Sequence, residues 1–252
     1  MQRPISVLRS LLNNRENIVA TFLVAHGAWS AGWAWKKMHP LMTAAGHRLV
    51  TPTYTGVGER AHLAHAEIDL ETHITDMLAV IKWEDLRDFI LVGHSYGGMV
   101  ATGVADRARE QVAQLVYLDA FAPRDGQSAF DMMPGERAAA MRERARSEGE
   151  GWRLSPNPMP PDTAEEDAAW AQTRRMPQPV KTFDTKLRHR NGPLTLPRHY
   201  IYCRRCAAGD GFRPSYERAQ AEGWQTYEVD ASHNPHITAP QELTALLHRI
   251  AT

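Results

Sequence analysis

The stretch "ILVGHSYGGMVATGVADRA", Ile90 to Ala108, constrains this chain more than any other. An unbroken apolar run reads as a strand buried on both faces, and the residues from Gly97 onward read as a helix. Between them, Gly93-His94-Ser95-Tyr96-Gly97 leaves almost no room to turn. A strand-to-helix turn this tight holds the residue at its apex in strained backbone geometry, and glycines two positions away on each side relieve the crowding. Gly and Ser are common in turns, so G-x-S-x-G alone says little. Placed directly after a buried strand and opening a helix, it has the context that presents a serine as a nucleophile.

The rest of the chain repeats this rhythm. "NIVATFLVAH" (Asn17–His26), "HRLVTP", "FILVGH", "VAQLVYLDA", "RHYIYCRR" and "WQTYEV" are strand-like runs. Between them, "HPLMTAAG" fits a short helix with Pro40 in its first turn and Gly46 at its end. Asp69 is the expected N-cap of a helix presenting Ile74, Met77, Leu78 and Ile81 on one face. Further helices are predicted to start near Pro214 and at Pro240. Alternation of this kind predicts an α/β fold, a parallel sheet with helices on both faces. From Phe121 to about Asn191 the rhythm stops, and Pro, Met, Arg and Glu dominate around the helical "AAAMRERARSEGEG". The expected organisation is an N-terminal extension over 1–16 and one domain over 17–252, with a cap inserted at about 122–191.

Composition removes other classes. With 29 Lys+Arg against 29 Asp+Glu, no charge imbalance favours nucleic acid or a membrane surface as partner. No apolar run reaches the roughly 18 residues of a membrane span. The basic start, "MQRPISVLRSLLNNRE", lacks the uninterrupted apolar stretch and cleavage site of a secretory signal. The 2 cysteines, Cys203 and Cys206, imply a reducing compartment, with the cytoplasm as the expected location. Their C-x-x-C spacing has no second pair to complete a zinc site and is read as structural. His62, His65 and His73 follow no usual ligand spacing, so neither metal nor cofactor is expected. A homodimer is compatible with the composition.

A serine hydroxyl needs a base within hydrogen-bond reach. "DASHNPHITAP" supplies His233 and His236 between the last strand and the last helix, at the sheet edge where open α/β folds keep their ligand crevice. His233, first after the strand, is the expected base, and His236, beside Pro235, a loop or helix-entry residue. Asp119 closes the apolar strand "LVYLDA", where a carboxylate needs a partner. From there it can reach the other nitrogen of the histidine, fix its tautomer and stabilise the imidazolium. Asp210, in "CAAGDGFRP", is the alternative acid, although Asp-Gly before a Pro-initiated helix is also ordinary turn and capping chemistry. Both preserve the order Ser, Asp, His. The backbone N–H groups of Tyr96 and of Ala28, in the loop "AHGAWSAGWAW", are the expected oxyanion donors. His26, at the end of its strand, is expected to order that loop. Gly27, Trp29 and His94 are the candidate substrate-pocket residues.

The motifs "HGAWSAGWAW", "GHSYGG", "YLDAFAP" and "SHNPHITAP" resemble those of α/β-hydrolases of the group that includes plant methylesterases, plant hydroxynitrile lyases and many bacterial esterases. The likeness runs from about Ala20 to the C-terminus. It implies the α/β-hydrolase fold, an open, mostly parallel eight-stranded sheet with a cap over the site. It also gives the nucleophile role to Ser95, the base to His233 and the oxyanion donors to Ala28 and Tyr96. Plant members generally take their acid from the later strand, which would point to Asp210, though the loop length there differs. Hydroxynitrile lyases of this type carry a threonine after the first-loop histidine and a lysine after the catalytic one. Gly27 and Asn234 stand there instead, which favours hydrolysis of a carboxylic ester, lactones included. The other readings are a lyase or carbon–carbon bond hydrolase on the same scaffold, and a non-catalytic ligand-binding receptor.

Overall fold

A computed structural model describes residues 19–205 and 210–252. The expected extension 1–16, the first residues of the run that begins at Asn17, and Cys206 lie outside the described residues. The first strand, β1 (Thr21–Ala25), leads through a 3₁₀ turn at Gly32–Trp35 to α1 (Met38–Ala44) and β2 (Arg48–Val50). A second 3₁₀ stretch, Gly58–Leu63, precedes α2 (Leu70–Trp83), β3 (Phe89–His94), α3 (Gly97–Arg107) and β4 (Val112–Leu118). The chain continues through α4 (Gly135–Glu148), β5 (Arg153–Leu154), α5 (Glu165–Gln172), β6 (Gln178–Pro179) and α6 (Lys181–Asp184). It returns to the sheet with β7 (Arg198–Cys203), α7 (Arg213–Ala221) and β8 (Gln225–Val229), and closes with α8 (Pro235–Thr238) and α9 (Pro240–Ala251).

Local chemistry sets these limits. Asp69 caps α2 by accepting the Thr72 N–H at 3.0 Å, and Thr72 reciprocates toward the Asp69 N–H, a complete capping box. Gly46 follows α1 at φ 81°, a conformation that favours glycine. Prolines open α7, α8 and α9, where a missing N–H costs no helical hydrogen bond.

The sheet is parallel throughout, in the order β2-β1-β3-β4-β7-β8. Among the described residues it has six strands, which corrects the eight implied by the resemblance. The sequence itself offers only six strand-like runs. β5 and β6 pair antiparallel with each other as a two-residue ribbon outside the sheet. Alternation along the strands divides the core. Leu23, Leu91, Leu115, Tyr117 and Tyr200 face α2 and α3 through Ile74, Met77, Val100 and Val104. Phe22, Val24, Ile90, Val92, Val116 and Ile201 face α1 and α9 through Met38, Met42, Leu243 and Leu247. The chain order changes direction between β1 and β3, so the crevice of this sheet opens at their C-terminal ends.

Residues 119–197 run between β4 and β7, two strands hydrogen-bonded to each other. Buried Gln178 within this segment accepts the Trp29 backbone N–H at 3.1 Å, and the Trp29 indole N–H donates to the Leu154 carbonyl at 2.8 Å. Where the segment returns to the sheet, Asp106 of α3, fully buried, accepts the Arg190 and Asn191 N–H groups at 2.6 and 3.2 Å.

Candidate active site

Ser95 stands between β3 and α3 at φ 56°, in the left-handed region. The two flanking glycines explain how the turn is accommodated. A Cβ on Gly93 would lie 2.8 Å from the Ala101 Cβ, and one on Gly97 would lie 2.0 Å from the Ala25 carbonyl oxygen. Gly98 is equally confined, 2.0 Å from the Phe121 carbonyl oxygen by the same construction. The turn is therefore clamped between β1 on one side and the chain leaving β4 on the other. Its hydrogen bonds agree: the Ser95 N–H donates to the Leu118 carbonyl, and the Ser95 carbonyl accepts the Phe121 N–H, both at 3.2 Å.

His233 projects from the loop between β8 and α8. Its Nε2 accepts from the Ser95 hydroxyl at 2.9 Å, and its Nδ1–H donates to Asp119 Oδ2 at 2.7 Å. Asp119 follows β4 at φ 42°, with its side chain only 7% exposed. Its second carboxylate oxygen accepts the Cys203 N–H at 3.3 Å. Burial pushes the Asp119 carboxyl above the usual carboxylate range, and the His233 hydrogen bond opposes that shift. Asp210 is differently engaged. Its Oδ1 accepts the Phe212 and Arg213 N–H groups at 3.0 and 3.2 Å, just ahead of α7, and its Oδ2 accepts the Tyr202 hydroxyl. The contact to His233 belongs to Asp119.

The loop after β1 passes against Ser95. A Cβ on Gly27 would lie 3.1 Å from the Ser95 Cβ and 2.8 Å from His94 Nδ1. Gly27, with Ala28 next to it in the chain, thus approaches Ser95 from the β1 loop, and Tyr96 follows Ser95 at the start of α3. His26 orders the loop: its Nδ1–H donates to the Gly27 carbonyl at 2.8 Å, and its Nε2 accepts the Tyr54 N–H at 3.3 Å. Complete burial lowers the His26 pKa to about 3, so the ring is neutral. Tyr96 is fixed by its hydroxyl, which donates to His73 Nδ1 at 3.0 Å, while His73 Nε2–H donates to the Thr55 carbonyl at 3.2 Å. Trp29, at φ 58° and nearly buried, stacks on Phe183 with ring centres 5.8 Å apart.

One residue stands elsewhere than the sequence suggests. His94 was expected in the substrate pocket, but its ring is 3% exposed and its Nε2–H donates to the His233 backbone carbonyl at 2.7 Å. Strand alternation is the reason: His94 shares a face with Ile90 and Val92, away from the α3 side. That signal was present in the sequence. His236, read as a loop or helix-entry residue, does stand in the first turn of α8, where it is buried and stacked on Trp35 at 4.7 Å and 11°. Phe212 was missed altogether. Its ring lies parallel to the His233 imidazole, 4.8 Å away at 7°, and no periodicity announces such a contact between two loops. Among the described residues no group of three or more His, Cys, Asp or Glu is arranged to hold a metal ion, and no helix is long and apolar enough to cross a membrane.

A strained serine at the switch point of a parallel sheet, facing a histidine and a buried carboxylate from later loops, defines a class, and the chain belongs to it: the Alpha/beta hydrolase family, whose profile matches residues 22–246. Within that family, the chain is 37% identical over 250 residues to the carbendazim hydrolyzing esterase of Nocardioides sp. (strain SG-4G), an alignment spanning 91% of this chain and 98% of the relative. It is 23% identical over 253 residues to Methylesterase 9 of Arabidopsis thaliana, across 91% and 97% of the two chains. Among solved structures, an extracellular alpha/beta-hydrolase from a Paenibacillus species superposes with a TM-score of 0.82 at 26% identity, covering 91% of this chain and 98% of that one.

Proposed function

We propose that this chain is a serine hydrolase of small-molecule carboxylic esters that works through an acyl-enzyme and needs no cofactor. The observation that carries the reading is the unbroken path from Ser95 through His233 to Asp119, with contacts of 2.9 and 2.7 Å. His233 Nε2 takes the Ser95 proton as Oγ attacks the ester carbonyl, and Asp119 holds Nδ1–H and stabilises the imidazolium. The Ala28 and Tyr96 N–H groups receive the negative charge that develops on the carbonyl oxygen. His233 then protonates the departing alcohol, and the same relay activates water to release the acid. Residues 122–191 serve as the cap, with Trp29, Met132 and Met133 giving the acyl or alcohol part an apolar wall. Nucleic acid takes no part, and a homodimer stays compatible with the reading.

The named relatives support ester chemistry: one hydrolyses carbendazim and another is a methylesterase. Asn234 also follows His233, so no lysine stands there to receive a departing cyanide. Low cysteine usage favours a reducing compartment, whereas the Paenibacillus neighbour is extracellular, and cell fractionation distinguishes the two. The mechanism itself is tested with a series of p-nitrophenyl esters of increasing acyl length and an active-site serine probe. Wild type should turn over one or more esters and be labelled once, at Ser95. Ser95→Ala should keep its melting temperature, lose labelling and lose turnover by roughly 10⁴-fold or more. Turnover of Ser95→Ala within tenfold of wild type refutes the mechanism.

A further inference from the structure

We propose that Phe212 is a positioning residue for proton transfer at His233, and that Asp210 is the group that holds Phe212 in place; the proposal rests on the serine-hydrolase reading above. His233 has no helix or strand to restrain it, and its side chain is 33% exposed. Its two hydrogen bonds run from opposite ring nitrogens to Ser95 and Asp119. Two such bonds fix an axis through the imidazole and leave it free to rock about that axis. A flat neighbour against the ring face removes this freedom. The Phe212 ring meets the requirement, parallel within 7° at 4.8 Å, and is itself backed by Phe121 at 4.9 Å. An aromatic face also favours the positively charged imidazolium that forms when Ser95 gives up its proton.

Phe212 is held by its own backbone. Its N–H donates to Asp210 Oδ1 at 3.0 Å, and the Arg213 N–H donates to the same oxygen at 3.2 Å. The other Asp210 oxygen accepts the Tyr202 hydroxyl, which ties the turn back to β7. The Phe212 carbonyl lies 3.3 Å from the Tyr200 hydroxyl, which also reaches the Ala120 carbonyl at 2.7 Å and accepts the Ala120 N–H at 3.1 Å. Ala120 adjoins Asp119, so one hydroxyl couples the turn carrying the acid to the turn carrying Phe212. Asp210 therefore serves the histidine at one remove, through the ring that steadies it.

The experiment uses the full chain with Phe212→Ala, Phe212→Leu and Phe212→Tyr, with thermal melts to check folding. Acylation and deacylation both route a proton through His233. Phe212→Ala and Phe212→Leu should each lower kcat on a p-nitrophenyl ester tenfold or more with KM changed less than threefold. The low-field proton resonance of the His233–Asp119 hydrogen bond should broaden or vanish in both. Phe212→Tyr, which keeps the flat ring, should restore kcat to within threefold of wild type and restore the resonance. If Phe212→Ala does not fold, Phe212→Leu, which keeps apolar volume without a planar face, decides alone. Unchanged kcat with an unchanged resonance, or a rise in KM only, overturns the proposal and leaves Phe212 as a pocket wall. The resonance is read on the resting protein, so it decides even if no ester is turned over. A silent Phe212→Ala beside a dead Ser95→Ala defeats this proposal and leaves the hydrolase reading standing.

Discussion

Asp119 and Asp210 are two carboxylates near one histidine with different partners, and a single amide substitution at each separates the parts we propose for them. Asp119 accepts the His233 Nδ1–H at 2.7 Å, so Asp119→Asn presents a donor or an indifferent acceptor there and favours the wrong tautomer. Turnover should fall by about 10⁴-fold. Asp210→Asn keeps an oxygen that can accept the Phe212 and Arg213 N–H groups, and its turnover should stay within a few-fold of wild type. Steady-state kinetics on the two variants settles the assignment, and the reverse order of damage would falsify it. Asp119 could be singled out in the sequence because a carboxylate ending an apolar strand demands a partner. The place of His94 was equally open to inspection through the alternation with Ile90 and Val92, although the pocket reading passed over it. Phe212 was not legible, because it meets His233 by the packing of two loops, and loop packing leaves no period in a sequence.

The turn that carries Ser95 is an element whose glycines have a calculable necessity. A methyl group on Gly97 would sit 2.0 Å from the Ala25 carbonyl oxygen and 2.6 Å from that of His26. These are backbone atoms at the end of β1 and just past it, and they cannot swing aside as a side chain would. Gly97→Ala should therefore cost about 1–3 kcal/mol or more in urea unfolding, as other overpacked sites do. Gly151→Ala, at a position where an added Cβ meets nothing within 4 Å but φ is 82°, tests backbone strain without crowding and should cost less. An equal loss at both sites would show that crowding contributes nothing. At this scale the sequence was most readable: the six strands, the cap at Asp69 and the helices with a full apolar period were all apparent. The two-residue strands β5 and β6 and the four-residue helices α6 and α8 were not, since each is shorter than any repeat that could reveal it, nor was α5, which buries only Ala171 and so carries no apolar stripe.

Across the whole molecule, the least ordinary charge property is a set of histidines kept neutral by burial. His26, His73 and His236 are each lowered from 6.5 to about 3, with burial as the largest cause. Between pH 6.5 and about 3 the unfolded chain binds protons at these rings that the folded chain refuses, so stability falls as the pH falls through that window. Each ring contributes up to about 1.4 kcal/mol per pH unit once well inside it. Urea midpoints should thus drop steeply from pH 6.5 to 4.5, and His236→Phe, which keeps the stack on Trp35, should flatten the slope by about one proton. A midpoint unchanged from pH 7 to pH 5 would contradict this account. The remaining consequence concerns the segment between β4 and β7. Because those strands bond directly to each other, residues 119–197 form a detour whose entrance and exit are already fixed by the sheet. Past Phe121, which stays bonded to Ser95, the detour can be exchanged, lengthened or shortened without disturbing the register of any strand. The architecture is therefore modular: the sheet and the turn at Ser95 can stay as they are while the inserted segment changes.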